Sequence, residues 1–377
     1  MNRRDLLRTA VAGSCGGGLW SVLDHVARHP VVPSNVPPAF SVIPVVGDGR
    51  WIWKEPPEGE TGYLEPRPYE VSVGIEMEGT GSATDIVSTT AAPLAHSEQK
   101  IDESSIGTSG CQAQVRKLAE GAGQLVLSAA EIGAGQVIRA TAHFRMTLFK
   151  QFFGYHADQF PARQQVPPDV RKTYLQDSPG IQVRSRQVRS LAAELTEGTP
   201  KHPFEQARTF AEWVPKNIKP QIGDYTSVTA ALDDHRGDCE EMAAVFVALC
   251  RAVGIPARLV WVPNHNWAEF FMSDKDGKGH WIPAHTACYS WFGFNGAHEL
   301  VLQKGDRLML PERRKQVRLL ADWTRYSGSA PKIRYTAELT PLATEPGGDA
   351  GPGARRKDAK GEWQLVGDHA LDSYQRR

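Results

Sequence analysis

Alternation of apolar and polar residues marks the first structured region of the chain. Apolar side chains occupy every second position from Tyr69 to Met77, and again from Ile138 to Leu148. A period of two is typical of strands that bury one face. Leu125-Val126-Leu127 is a shorter strand candidate between them. Successive strands without intervening helices predict a β-rich, β-sandwich-like domain over residues 40–155.

The period changes to that of a helix after a proline-containing, loop-like stretch at 155–180. Apolar residues recur three to four positions apart over 188–195 and again over 204–218. This spacing predicts two amphipathic helices. A third helix is predicted between Asp238 and Gly254, because Asp is a good N-cap residue and Gly a common helix end.

The third predicted helix carries a cysteine in its first turn. Asp238 and Glu241 have the spacing of a capping box, which satisfies the free N–H groups at a helix start. The expected buried stripe consists of Met242, Phe246, Leu249 and Val253. Cys239 precedes Met242 by three positions, so it is expected on the same inner side of the helix.

Three strands are predicted after this helix, at 257–262, 265–272 and 280–283. Asp276-Gly277 is a hairpin signal between the last two. A helix backed by an antiparallel sheet predicts an α+β core over residues 180–340.

Composition narrows the class of protein. The 43 Lys and Arg residues balance 43 Asp and Glu residues, and 41% of the chain is hydrophobic. A neutral globular composition argues against nucleic acid as a partner. Five cysteines in 377 residues are too few for a small disulfide-stapled scaffold.

The two ends of the chain differ from its middle. Residues 1–39 combine the pair Arg3-Arg4, a short weakly apolar stretch and a proline-rich linker, a pattern that resembles a twin-arginine export signal. We therefore expect export to the periplasm or cell envelope, with envelope association and lipidation at Cys15 left open. Residues 341–377 are rich in Gly, Pro and charge, which predicts a flexible tail.

Cys239 and His265 are candidates for nucleophilic chemistry. The partial positive charge of a helix N-terminus favours a thiolate, although a cysteine there can also be a small core residue. His265 begins the middle strand and can lie across from the helix end, or it can be a partly exposed strand-end histidine. Trp267 shares its strand face and could keep the ring dry.

The combined pattern resembles the transglutaminase-like superfamily, the papain-like thiol fold of bacterial exported proteins. The motifs are the first-turn Cys239, Gly-Ile-Pro-Ala-Arg at 254–258, His-x-Trp-x-Glu at 265–269 and Trp-Ile-Pro at 281–283. The resemblance implies Cys239 as nucleophile and His265 as general base. The implied reaction is amide or peptide hydrolysis, or acyl transfer, through a cysteine thioester. Trp267 and Asp238 are expected to line the site.

One position departs from the family pattern. The family usually has Asp where His285 stands, and a carboxylate there orients and stabilises the imidazole. His285 is either a third catalytic residue or an ordinary histidine. Glu269 and Asn264 are the alternative groups for orienting the imidazole ring of His265. The alternative function is therefore a catalytically impaired member that serves as a peptide-binding or envelope scaffold.

A zinc site is a third hypothesis. His235, Cys239, His265, His280 and His285 lie within 51 residues, and zinc accepts both residue types. No recognised zinc-ligand spacing is present among them. We therefore expect no metal and no cofactor, with a peptide or protein substrate as the partner and no prediction of oligomeric state.

Overall fold

The structure is a computed structural model that describes residues 61–118, 121–221, 226–263, 265–287 and 291–342, and the backbone of 354–357 and 363–366. The predicted export signal and linker at 1–39, with Cys15, lie outside the described residues, as does Asn264. Within the described part of the chain, no helix is both long and apolar enough to cross a membrane.

Six strands form the first part of the fold. They are β1 (Gly62–Glu78), β2 (Ala83–Ala92), β3 (Gln99–Ser109), β4 (Gln112–Leu118), β5 (Ala122–Ile132) and β6 (Val137–Phe152). The predicted alternation is confirmed in β1 and β6, where every apolar position of the pattern is buried. Strands β2, β3 and β4 occupy a stretch that the apolar pattern left unassigned.

The second part begins with five helices, and the short strands among and after them complete the sheets. The helices are α1 (Pro168–Tyr174), α2 (Arg186–Thr196), α3 (Pro203–Asn217), α4 (Val228–Asp234) and α5 (Cys239–Ala252). The strands are β7 (Lys219–Pro220), β8 (Arg236–Gly237), β9 (Ala257–Val262), β10 (His265–Ser273), β11 (Gly279–Ala284), β12 (Phe294–Asn295), β13 (Gln303–Lys304), β14 (Leu308–Leu310), β15 (Lys315–Val317), β16 (Trp323–Gly328), β17 (Lys332–Pro341), β18 (Ala354–Lys357) and β19 (Trp363–Val366). Strands β18 and β19 pair with each other inside the segment predicted as a tail.

Two large antiparallel sheets share one hydrophobic core. The five-stranded sheet has the order β12-β6-β1-β17, with β3 also paired to β6. The eight-stranded sheet has the order β11-β10-β9-β13-β5-β2-β16, with β4 also paired to β5. Buried side chains of β1, β5 and β6 belong to the same core as those of α5 and β10. The mostly β, mixed architecture agrees with the predicted α+β class.

Strand β13 connects the two halves of the eight-stranded sheet. Gln303 pairs with Ala122 of β5 on one side and with Trp261 of β9 on the other. The β-rich region and the α+β core are therefore parts of one continuous sheet. The domain boundary expected between residues 155 and 180 remains a prediction.

Helix α5 lies at the centre of the second part. All residues from Cys239 to Arg251 are buried, because α2, α3 and α4 pack against it together with β9 and β10. The sequence pattern predicted a single buried stripe, and it underestimated this burial. Small residues between the stripe positions, among them Ala243, Ala244 and Ala248, allow neighbours to approach every side of the helix.

Candidate active site

Cys239 is the first residue of α5, as predicted. The Asp238 carboxylate caps the helix, accepting hydrogen bonds from the backbone N–H of Glu240 at 2.8 Å and of Glu241 at 3.3 Å. The Glu241 side chain accepts one from the Asp238 N–H at 2.8 Å, which completes the capping box. Cys239 is 0% exposed, so a substrate reaches its sulfur only after local opening of the structure.

Three buried carboxyl groups surround the start of α5. Burial, reinforced by Glu240 and Glu241, raises the pKa of Asp238 well above its ordinary value. Burial raises the pKa of Glu240 to about 7, although its ion pair with Arg318 opposes the shift. Wherever these carboxyl groups are ionised, their negative charge disfavours a thiolate and counteracts the helix N-terminus that the sequence pattern put forward as the activating feature.

Replacing Glu240 with glutamine is expected to speed alkylation of Cys239 by iodoacetamide roughly three- to tenfold, because a like charge on the next residue of the helix is removed. The effect should be largest above pH 7, where Glu240 is ionised, and should fade as the pH falls below 6. The measurement is the alkylation rate of Cys239 against pH, read by peptide mass analysis. Equal rates in both proteins above pH 7 would contradict the prediction.

His265 and His285 lie together on one face of the sheet. His265 is the first residue of β10. The register of β10 with β11 pairs Ala268 with Ala284, and extending it by one position places Trp267 opposite His285. The two imidazole rings are 5.9 Å apart between centroids. The Trp267 ring is stacked on His285 at 5.0 Å, and Trp291 meets His285 edge-on at 5.0 Å. Trp291 therefore covers His285.

Burial keeps both imidazoles neutral. It lowers the pKa of His265 to about 4. Burial, with a further contribution from His265, lowers the pKa of His285 well below its ordinary value. A ring with a pKa of about 4 is a weak general base at neutral pH. His285 brings no negative charge that could raise the basicity of His265.

The other polar residues proposed from the sequence have different partners. Glu269 accepts hydrogen bonds from Arg258 at 2.8 and 2.6 Å and from Lys304 at 2.8 Å. It belongs to an ion-pair network, and its role as an orienting group for His265 remains unsupported. His280 pairs with Asp274 at 2.7 Å. Among the described residues, no three His, Cys, Asp or Glu side chains are grouped as metal ligands.

Comparison with known proteins identifies the region that holds these residues. Residues 189–286 match the profile described as the Transglutaminase-like superfamily. The chain contains a transglutaminase-like domain. No curated protein sequence matches the chain.

Two solved structures are similar to it. A proposed cysteine protease from Cytophaga hutchinsonii matches 75% of this chain and 93% of its own, with 14% identity and a TM-score of 0.53. A proposed protease from Parabacteroides distasonis matches 59% of this chain and 44% of its own, with 14% identity and a TM-score of 0.24. The first likeness is one of fold. With the family match, it confirms the predicted α+β, papain-like core.

The transglutaminase-like domain thus contains every residue that the sequence put forward as catalytic. The structure brings His265, His285 and Trp267 together and makes Asp238 the cap of the helix that Cys239 begins. The pairing of Cys239 with His265, and the catalytic roles of Cys239, His265 and His285, remain predictions.

Sequence reasoning overlooked two buried polar residues in this domain, Asn266 and Thr286, each 1% exposed. Asn266 lies on the same side of β10 as Ala268 and Phe270, which is the apolar side of the strand. A polar residue at an apolar position of a strand was the signal that could have identified it.

Proposed function

We propose that this chain is an exported thiol enzyme that hydrolyses amide or peptide bonds, or transfers their acyl groups. The observation that carries the proposal is the match of residues 189–286 to the transglutaminase-like superfamily, with Cys239 at the start of the central helix and His265 at the start of β10. The export signal at residues 1–39 is part of the same proposal. The substrate is a peptide or protein.

The chemistry proposed is acyl transfer through a thioester. His265 accepts the thiol proton of Cys239, the sulfur bonds to the carbonyl carbon, and the carbonyl π electrons move onto oxygen. The C–N bond then breaks, and the amine leaves with the proton that His265 returns. Water or a second amine attacks the thioester and releases Cys239. Hydrolysis is favoured, because water competes wherever no amine site is built.

The second candidate is a catalytically impaired member of the superfamily that binds peptides or supports the cell envelope. Two observations favour it. Cys239 is 0% exposed, and His285 stands where a carboxylate is usual. The acidic start of α5 further disfavours a thiolate, so the two candidates make opposite predictions about the reactivity of Cys239.

Iodoacetamide labelling separates the two candidates. In the enzyme, Cys239 is expected to react at pH 7 at least tenfold faster than Cys250, since His265 takes its proton. Cys250 is a matched control: it lies on the same helix, is equally buried, and has a pKa that burial raises well above the ordinary value. His265→Ala should abolish the difference. Equal labelling of Cys239 and Cys250 in the unmodified protein would favour the scaffold.

A further inference from the structure

A segment that follows the transglutaminase-like domain is bound to both ends of α5. This strap, residues 306–318, contains the β14–β15 hairpin and lies outside the residues that match the family. Asp306 pairs with Arg251 near the end of the helix, and Arg318 pairs with Glu240 at its start. Two ion pairs of opposite polarity therefore hold the strap to the helix.

The two helix residues that the strap binds share one face of α5. Glu240 and Arg251 are eleven positions apart, which is about three turns of helix, or about 16 Å. Cys239 immediately precedes Glu240 and is therefore rotated by about 100° around the helix axis, at the same level. The strap thus reaches the face of α5 that borders Cys239.

The Asp306 end of the strap is firmly fixed. Its carboxylate accepts two hydrogen bonds from the Arg251 guanidinium, at 3.0 and 2.8 Å, and one from the Leu259 N–H at 3.2 Å. The Arg251 and Asp306 side chains are 1% and 2% exposed. Breaking a buried ion pair of this kind is strongly destabilising, so this end is not the one that opens.

The Arg318 end is closer to solvent. The Glu240 side chain is buried at 4% exposure, whereas the side chain of Arg318 is 21% exposed. Arg318 therefore lies between the start of α5 and the surrounding water. A pair with one partly exposed partner costs less to separate than a fully buried pair, because water can solvate the released charge. Opening of the strap is expected at this end.

Gln303 limits how far the strap can move. Its side-chain amide donates to the carbonyl oxygens of Gly305 at 2.8 Å and Arg318 at 2.7 Å, and accepts from the Leu320 N–H at 2.9 Å. These bonds hold together the backbone on both sides of the β14–β15 hairpin. The parts left to move are the side chain of Arg318 and the hairpin itself, so the opening is local and reversible.

We propose that the Arg318 side chain, while paired with Glu240, closes the path from solvent to Cys239, and that substrate reaches the sulfur when this pair separates. The proposal rests on the proposed function, because a thiol enzyme needs a path to its nucleophile and Cys239 is buried. Local openings of this kind cost far less than global unfolding. Arg318 thus controls access to the reaction and takes no part in the bond changes.

Alkylation by iodoacetamide in the full chain measures the opening. The assay is run at pH 8, where Glu240, with a pKa of about 7, is ionised. Arg318→Ala is expected to speed alkylation of Cys239 about tenfold or more, because the cover over the helix start is lost. Cys250 lies on the same helix and is equally buried, and its rate should change less than twofold.

Arg139→Ala is the matched control for the loss of an arginine–glutamate pair. Arg139 pairs with Glu76 in the β-rich region, on strands that do not belong to the strap. Its replacement should leave the alkylation rates of Cys239 and Cys250 unchanged. Arg318→Gln, which is shorter than arginine and uncharged, serves if the Arg318→Ala variant fails to fold.

A double variant separates access from charge. Loss of a positive charge alone makes a nearby thiolate less favourable. In a Glu240→Gln background no carboxylate remains at that position, so charge alone predicts that adding Arg318→Ala slows alkylation of Cys239. The proposal predicts the opposite sign, a further increase of about threefold or more, because the arginine that covers the thiol is gone.

Each outcome decides between the claims. The proposal is overturned by a Cys239 rate in Arg318→Ala within twofold of the unmodified protein, by an equal gain at Cys250, or by slower alkylation in the double variant than in Glu240→Gln. If Arg318→Ala speeds alkylation of Cys239 but adding His265→Ala does not slow it, the proposed function fails and the control of access stands. If Arg318→Ala has no effect while Cys239 reaction depends on His265, the reverse holds.

Discussion

Replacing Glu269 with alanine is expected to lower the free energy of unfolding by about 3–5 kcal/mol, the range for breaking a buried ion pair by removing one partner. Glu269 is 1% exposed, and its two carboxylate oxygens bind Arg258 and Lys304. Burial alone would raise its pKa, but the two cations lower the pKa of Glu269 to about 2. The alanine variant leaves both positive charges buried.

Chemical denaturation at pH 7 measures this loss. Glu212→Ala is the control, because Glu212 forms an exposed ion pair with Lys216, and removing such a pair changes stability by less than about 1 kcal/mol. A loss below 1 kcal/mol for Glu269→Ala would show that water enters and solvates the two cations. The network also includes Glu98 from the β-rich region, so its loss should loosen the contact between that region and β10.

Acidification is expected to destabilise the unmodified protein by about 2–3 kcal/mol more than a His265→Gln variant between pH 6.5 and pH 4. Burial lowers the pKa of His265 to about 4, whereas in the unfolded chain the ring titrates near pH 6.5. In this window the unfolded state binds more protons than the folded state. The stabilisation is therefore complete above pH 6.5 and is lost as the pH falls through 4.

The comparison between variants is the informative measurement, because other buried groups titrate in the opposite sense. The raised pKa values of Asp238 and Glu240 make the folded protein gain stability on acidification, and they do so in both proteins. The melting temperature of the unmodified protein should therefore fall further than that of His265→Gln as the pH falls from 6.5 to 4. His143→Gln, at an exposed position of β6, is the control for the histidine-to-glutamine substitution itself. Parallel curves for His265→Gln would contradict the burial of an uncharged ring.

The elements that carry the candidate site were predictable because their local signals agree. Asp238 and Glu241 indicated the start of α5, and the hairpin at Asp276-Gly277 was confirmed between β10 and β11. Cap chemistry and turn chemistry act over a few residues, so they can be recognised without knowledge of the tertiary structure.

Strands β2, β3 and β4 were missed for a physical reason. Strand β3 is rich in Ser, Asp, Glu and Gly and is mostly exposed, and its pairing with β6 is set by backbone hydrogen bonds. Such a strand shows no apolar alternation. Strand β2 is buried over most of its length, and its small and hydroxylated residues do not form the apolar pattern on which the prediction relied.

The chemistry of the site depended on contacts that sequence spacing does not encode. The stacking of Trp267 on His285, the Arg318 partner of Glu240 and the Lys304 partner of Glu269 join residues distant in the chain or on neighbouring strands. Sequence identified a cysteine at a helix start, but it did not show that three carboxyl groups would be buried beside it. Those groups change the expected reactivity of Cys239.

Strand β13 has a consequence for how this protein can be taken apart or recombined. Because Gln303 is paired to β5 and β9 at once, a truncated chain that begins near residue 180 would keep β13 but lose β5. The hydrogen-bonding edge of β13 that pairs with β5 would be uncovered, and open strand edges promote self-association. The part of the chain from residue 180 onward is therefore not an independent folding unit. Fusion proteins and minimal fragments should retain the strands from residue 62 onward.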